Sequence, residues 1–310
     1  MEKNYTLERG AFASADGRST LAYYCFVPKT EEPRALLQIS HGMCEYIMRY
    51  EPLADYLTGL GYLVFGNDHA GHGESAKTDD ELGLIGGACA MVEDLHRMAD
   101  ILRTSYPEKK HILLGHSMGS FAARLYAATY PDELDALVIV GTGGPDNPTG
   151  LGKALARLTA KLCGEGHRSA LITKIAFGSY NKRFRDEPSR SAWLTRDRAV
   201  VEAYDNDKFC NYTFTAKGYY DLFDLIGQVS EKAWAGKVRP SLPIRVISGE
   251  EDPVGNYGAG VMKVYDRLVD AGVADVTVKL YEGLRHEIFN EIGREAVYAE
   301  LSQWLEERGF

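Results

Sequence analysis

Residues 111–130 read HILLGHSMGSFAARLYAATY, and the reading of this stretch decides the fold. The short apolar run His111–Leu114 suits a buried strand, while Ser117–Tyr130 carries a helical pattern that Pro131 stops. Between them, Gly115-His116-Ser117-Met118-Gly119 matches G-x-S-x-G in the strand–turn–helix setting the motif requires. The chain must reverse from strand to helix within a few residues, which holds Ser117 in a strained conformation. Gly115 and Gly119 lack the side chains that would collide with neighbouring elements. Ser117 Oγ is therefore expected to project above a sheet edge, with the N–H of Met118 pointing into the same space.

Outward from this turn, strand and helix alternate. Apolar runs at 35–39, 62–65, 111–114, 137–140, 244–247 and 276–280 read as strands. Helical patterns occupy 51–60, 87–105, 117–130, 258–271 and 287–307. Such alternation predicts an α/β fold, a mostly parallel central sheet with helices on both faces. The opening segments 5–13 and 21–27 read as antiparallel strands joined by the turn Ser14-Ala-Asp-Gly17. Between Val140 and Ile244 the rhythm breaks into helical texture, opened by the loop-forming GTGGPDNPTG. We expect a core domain of residues 1–142 and 239–310, with 143–238 as an inserted helical cap. In open α/β sheets the ligand site lies beyond the carboxyl ends of the strands.

A serine nucleophile needs a base, because its free hydroxyl is almost wholly protonated at neutral pH. In this type of fold the acid and the histidine follow the serine in that order. Asp252, in SGEEDPVG, comes directly after the strand IRVI. Its neighbours Glu250 and Glu251 compete for the role, but Asp252 has the turn residues Pro253 and Val254 behind it. His286, in EGLRHEIFNE, follows the strand VTVKL and is the only histidine after residue 167. Ser117, Asp252 and His286 are thus the expected nucleophile, acid and general base. A second oxyanion donor belongs in the loop after the first central strand, His41-Gly42-Met43-Cys44-Glu45, with the N–H of Met43 beside that of Met118.

The bulk properties narrow the function class. The chain has 310 residues, 45 % hydrophobic and 25 % charged, ordinary globular usage with no need of staples. A net charge of −9 argues against nucleic acid as partner. Five widely spaced cysteines without a CxxC suggest neither a disulfide framework nor a metal knuckle. The start MEKNYTLERG lacks the apolar core of a signal peptide, and no stretch approaches the ~18 apolar residues of a membrane span. A cytoplasmic protein without metal or cofactor is expected. Asp68-His69-Ala-Gly-His72 is read as a glycine-rich turn rather than a zinc site, and GTGGPDNPTGLGK lacks the GK[ST] of a P-loop.

Taken together, HGMCEYIMRY (41–50), NDHAGHGES (67–75), GHSMGS, EEDPV and LRHEIFNE make the chain resemble the monoglyceride lipase and lysophospholipase branch of the α/β-hydrolases, also called serine aminopeptidase-like. The resemblance spans the core and implies the same triad and oxyanion donors. It further implies that Glu45 and Arg49 lie near a polar headgroup of the substrate. The family pattern continues Glu-His, where this chain has Glu45-Tyr46. The implied substrate is a small-molecule acyl ester such as a monoacylglycerol or lysophospholipid. An aminopeptidase-like amide hydrolase would need cap acids to hold the substrate amine, and Glu202, Asp205 and Asp207 keep that alternative open. A non-catalytic binding protein on the same scaffold would be expected to have lost a triad member, and none is lost.

Residues 151–185 contain eight Lys or Arg against the single acid Glu165, a segment of +7 in an acidic chain. Leu151, Leu155, Leu158 and Leu162 recur at helical spacing, so the leucines are expected to pack inward while Lys153, Arg157 and Lys161 face outward. A solvated cap face is one reading. Weak peripheral contact with an anionic membrane through the cap is the other. Aromatic residues between Phe177 and Phe223 are expected to form the core of the cap, some of them walling an acyl cleft.

Overall fold

In the computed structural model, residues 2–30, 32–146 and 149–310 are described; Asn147 and Pro148, in the stretch expected to open the cap, lie outside them. Eight strands form one sheet: β1 (Tyr5–Ala13), β2 (Thr20–Pro28), β3 (Leu36–Ser40), β4 (Leu63–Asn67), β5 (His111–His116), β6 (Ala136–Val140), β7 (Ile244–Gly249) and β8 (Val276–Tyr281). Their spatial order is β1-β2-β4-β3-β5-β6-β7-β8. Only the β1–β2 and β2–β4 pairings are antiparallel; β4 to β8 run parallel. Every residue of β3, β4, β5 and β6 is buried, which is why these strands read as continuous apolar runs rather than alternating ones.

Helices cover both faces. Residues of α2 (Ala88–Ser105), α3 (Met118–Thr129) and α8 (Ala259–Asp270) share one apolar cluster, and those of α1 (Glu51–Gly59) and α9 (Arg294–Glu306) another. The last helix is shorter than the pattern 287–307 implied. A single turn, Ile288–Asn290, comes first, and Gly293 at φ 82° separates it from α9. A left-handed residue cannot continue a right-handed helix.

Between β6 and β7 the described residues form helices and no strand: α4 (Thr149–Cys163), α5 (Ala170–Phe177), α6 (Arg198–Asn206) and α7 (Ala216–Ser230), with two short 3₁₀ helices, Tyr180–Phe184 and Lys232–Lys237. One expectation fails here. Leu151, Leu158 and Leu162 of α4 point outward at 77 %, 53 % and 73 % exposure, while Ala156 is the buried residue of that helix. Lys153 turns instead toward α7, paired with Asp224 and lying over the Tyr220 ring. The small residues pack because α4 lies close against α7: a Cβ on Gly152 would come 3.0 Å from the Phe223 ring.

The register positions the functional loops. Ser40 pairs with Gly115, Val140 with His116, Ile247 with Val140, and Gly249 with Tyr281. The carboxyl ends of β3, β5, β6, β7 and β8 therefore finish at one edge of the sheet, and each delivers its following loop there.

Candidate active site

Ser117 sits at φ 52°, ψ −117°, a conformation that side-chain-bearing residues rarely adopt. Its N–H donates to Val140 O at 2.9 Å and its carbonyl accepts from Ser120 N at 2.9 Å, so both sides of the turn are pinned. The flanking glycines are obligatory: a Cβ on Gly119 would lie 2.0 Å from Ser40 O, and one on Gly115 2.4 Å from Gly119 O.

Asp252 and His286 meet from different strands. His286 Nδ1 lies 2.9 Å from Asp252 Oδ2, and both side chains are almost fully buried. Ser248 Oγ donates to the same carboxylate at 3.1 Å and Val254 N–H at 2.8 Å. With Nδ1 facing a carboxylate, that nitrogen carries the hydrogen and Nε2 is left as the basic one. Of the competing acids, Glu250 is exposed and Glu251 pairs with Arg183 at 3.0 Å. Neither bonds His286.

Ser117 and His286 line the same cavity of about 500 Å³. No hydrogen bond joins them among the described residues; such contacts often tighten only when substrate is seated. Met43 and Met118 line the cavity too. Met118 is the first residue of α3, where a helix N–H has no intrahelical acceptor. The N–H groups of Met43 and Met118 have no acceptor among the described residues. The arrangement can therefore offer two backbone donors beside a hydroxyl and an imidazole. Phe121, Phe177, Tyr219, Leu222 and Ile226 supply an apolar wall, and Glu45, Arg190, Ser191 and Asn211 a polar one.

Glu45 and Arg49 are not both where the family pattern implied. Glu45 lines the cavity, but its carboxylate accepts from Gly42 N–H, from Tyr50 OH and His116 Nδ1 at 2.9 Å each, and from Arg49 at 3.1 Å. Arg49 does not line the cavity. Its guanidinium makes two parallel 2.7 Å bonds to Glu287 and lies 5.0 Å from the Tyr204 ring centre. Buried cations take the acids within reach, and Glu287 is far away in sequence. Burial opposes charge on Arg49, yet Glu287 and Glu45 hold its pKa well above the ordinary value.

In the sequence Trp193 is only one of several cap aromatics, and nothing singles out His116. Trp193 lies 5.0 Å from the His286 ring, centre to centre. It is brought there because Arg285 donates to Ala192 O at 2.6 Å, Glu287 N–H to Leu194 O at 2.7 Å, and Arg196 pairs with Glu291 at 3.0 Å. The β6–β7 segment is thus strapped to the loop that carries His286. His116, inside the G-x-S-x-G turn, lies 4.7 Å from the same ring, centre to centre, at a tilt of 41°. The Asp68–His72 turn is held from within and by its neighbours: Asp68 accepts from Ile47 N–H and Glu74 N–H at 2.9 Å, and His72 Nδ1 bonds Ala70 O.

A family model described as serine aminopeptidase, S33, matches residues 31–293. The chain belongs to that family. Among its relatives, a human monoglyceride lipase is 28 % identical over 95 % of this chain and 89 % of its own length. A monoacylglycerol lipase of Mycolicibacterium smegmatis is 29 % identical over 97 % of both chains. The solved structure of a thermostable carboxyl esterase from Bacillus coagulans, in complex with glycerol, superposes with a TM-score of 0.92 at 29 % identity, covering 98 % of this chain and 99 % of the other. This family member has the α/β-hydrolase fold.

Proposed function

We propose that this chain is a carboxylic ester hydrolase acting on single-chain acyl esters, monoacylglycerol, lysophospholipid or similar, through an acyl-enzyme on Ser117. The observation that carries this is the one cavity lined by Ser117, by the Asp252-bonded His286, and by the free N–H groups of Met43 and Met118. The names of the full-length relatives and the glycerol-bound esterase support the ester class.

His286 Nε2 takes the proton of Ser117 as Oγ attacks the ester carbonyl carbon. Met43 and Met118 N–H groups stabilise the oxyanion; each such donor is worth roughly 3 kcal/mol in the transition state. The tetrahedral intermediate collapses, His286 hands its proton to the leaving alcohol, and the acyl group stays on Ser117. Water, deprotonated by His286, attacks the acyl carbon and releases the acid with Ser117 restored. Asp252 holds the imidazole in the tautomer this needs and balances its transient charge. No step calls for a metal or cofactor.

Residues 143–238 serve as the cap in this reading, covering the cleft with an apolar wall suited to an acyl chain. Two of the three acids that an aminopeptidase would use are otherwise engaged. Asp205 accepts from Ser189 and Ser191, Asp207 from Tyr46 at 2.7 Å, and Glu202, Asp205 and Asp207 do not line the cavity. Ester cleavage is the better fit.

No helix among the described residues is long and apolar enough to cross a membrane. The cap nonetheless exposes Leu151, Leu158, Leu162, Leu171 and Ile175 beside Arg157, Lys161 and Lys174. An apolar stripe with flanking cations suits shallow peripheral contact with an anionic lipid surface, from which a water-insoluble ester would be drawn. Five free thiols fit a reducing, cytoplasmic setting.

A p-nitrophenyl ester series of rising chain length, run beside monoacylglycerol, lysophospholipid and an aminoacyl-anilide, tests the reading. Turnover of the esters with the anilide left intact is expected. Preferential cleavage of the anilide would overturn it.

A further inference from the structure

Glu45 is 2 % exposed, and it reaches three parts of the site at once. Through Gly42 N–H it holds the loop after β3, and through Tyr50 and His116 Nδ1 it holds the turn before Ser117. On the far side of the ring, His116 Nε2 lies 3.4 Å from the backbone carbonyl of His286. With a carboxylate at Nδ1 and a carbonyl on the Nε2 side, both nitrogens face acceptors, an arrangement that suits an imidazolium. The Tyr50 hydroxyl, 2.9 Å from Nδ1, donates to the Glu45 carboxylate.

We infer that Glu45 and His116 are positioning residues, a buried ion pair that keeps the oxyanion loop, the nucleophile turn and the backbone of His286 in register. This rests on the reading of Ser117 as nucleophile.

Gly42 shows how tight the register is. A Cβ there would sit 2.5 Å from Glu45 Oε1 and 3.0 Å from Ser117 Cβ, so the loop is wedged between carboxylate and nucleophile. Cys44, at φ 56°, turns the chain back so that Glu45 can reach the Gly42 N–H. Met43 lies between these two anchored residues. An oxyanion donor must be held within roughly 0.5 Å to be useful, which an isolated surface loop cannot guarantee.

The charges suit the task. Burial alone would neutralise Glu45, but His116 and Arg49 hold its carboxyl well below the usual range. Burial likewise opposes charge on His116, and the attraction of Glu45, with Glu287 and Asp252 beyond, raises it above the ordinary imidazole value. Buried pairs add little net stability, but removing one partner strands the other. A lone imidazolium 4.7 Å from the His286 ring would oppose the charge His286 must take up; paired with Glu45 it does not.

The test is Glu45→Gln and His116→Gln, with kcat and KM measured on p-nitrophenyl butyrate and on its thiono analogue. An oxyanion hole stabilises developing O⁻ far better than S⁻, so the oxo-to-thiono rate ratio reports donor placement. In both variants kcat should fall on the order of 10², as for loss of one oxyanion donor. KM should stay within about two-fold, and the oxo-to-thiono ratio should contract. A rise in KM with kcat retained would make Glu45 a substrate contact and overturn the inference. So would a fall in kcat with the ratio unchanged. If thermal unfolding shows that Glu45→Gln does not fold, Tyr50→Phe, which removes one bond to Oε1, takes its place, and an unchanged ratio there is equally fatal. Absence of ester turnover by the unaltered protein would instead bring down the ester-hydrolase reading itself.

Discussion

His286 Nδ1 and Asp252 Oδ2 stand 2.9 Å apart, delivered by loops after β8 and β7 and sealed from solvent. An amide at position 252 would turn a donor toward Nδ1 and favour the wrong tautomer. Asp252→Asn should therefore lower kcat by roughly 10⁴. Glu250→Gln and Glu251→Gln should stay close to the unaltered protein in the same esterase assay. A crippled Glu251→Gln beside a mild Asp252→Asn would move the acid role to residue 251.

Ser117→Ala should fold normally and lose on the order of 10⁶ in kcat, as other serine triads do. A fluorophosphonate probe should label the unaltered protein and leave this variant blank. Labelling that survives the substitution would put the nucleophile elsewhere.

Replacing Leu151, Leu158 and Leu162 together by serine should spare activity on a soluble short-chain ester. It should also reduce co-sedimentation with liposomes containing phosphatidylglycerol. Attraction to the lipid charge should weaken with salt, since exposed charges are screened over about 10 Å at 0.1 M. Equal recovery of the unaltered protein in the supernatant, with and without anionic lipid and at low and high salt, would remove membrane contact from its function.

Arg124, on α3 just after Ser117, is 1 % exposed and has no carboxylate partner among the described residues. Its guanidinium donates to Thr142 Oγ1 at 3.3 Å, Gly143 O at 3.2 Å and Val229 O at 2.6 Å, and lies 4.4 Å from the Trp234 ring centre. It thus ties both ends of the β6–β7 segment to α3. Lysine keeps the charge but not the planar fork, and leaves buried carbonyls without donors. Arg124→Lys should cost about 1–3 kcal/mol in denaturant unfolding. A loss within error would mean the fork does not fasten the segment.

The Glu45–His116 pair also predicts a pH signature in stability. His116 is raised in the fold, so its contribution is complete below the ordinary imidazole value of about 6.5 and is lost as pH climbs through the raised one. Glu45 is lowered, so its contribution persists above the ordinary carboxyl range and fails only in strong acid. Arg49, His41, Glu287 and Asp252 face the pair; burial lowers His41 to about 4, and Glu287 and Glu45 raise Arg49, so neither of these two changes charge across the neutral range. The stability difference between the unaltered protein and His116→Gln should be greatest near pH 5–6 and shrink above about 6.5. A difference flat from pH 5 to 9 would mean His116 is neutral in the fold.

Some of the active site was legible because it depends on local chemistry. A strand, two glycines around Ser117 and a helix leave the backbone one way to turn, and the φ of Ser117 bears that out. Asp252 and His286 were legible because each follows an apolar strand run that could only be a central strand. Their meeting, however, needed the register of β7 on β8. The choice among Glu250, Glu251 and Asp252 is likewise spatial: adjacent side chains on a turn point in different directions, and only Asp252 points inward.

By itself, then, the sequence determined the doubly covered parallel sheet, the strained serine turn and the residues that could complete it, because periodicity and glycine placement act within a few residues. Only the tertiary structure decided where long side chains found their partners. Arg49 belongs to Glu287 and Glu45 to His116 through contacts spanning 238 and 71 residues. The exposed leucines of α4 make the same point. Helical spacing shows that an apolar stripe exists, but which face packs depends on the neighbour. Here the neighbour is α7, whose close approach favours Ala156 and Gly152 and leaves the leucines to the outside.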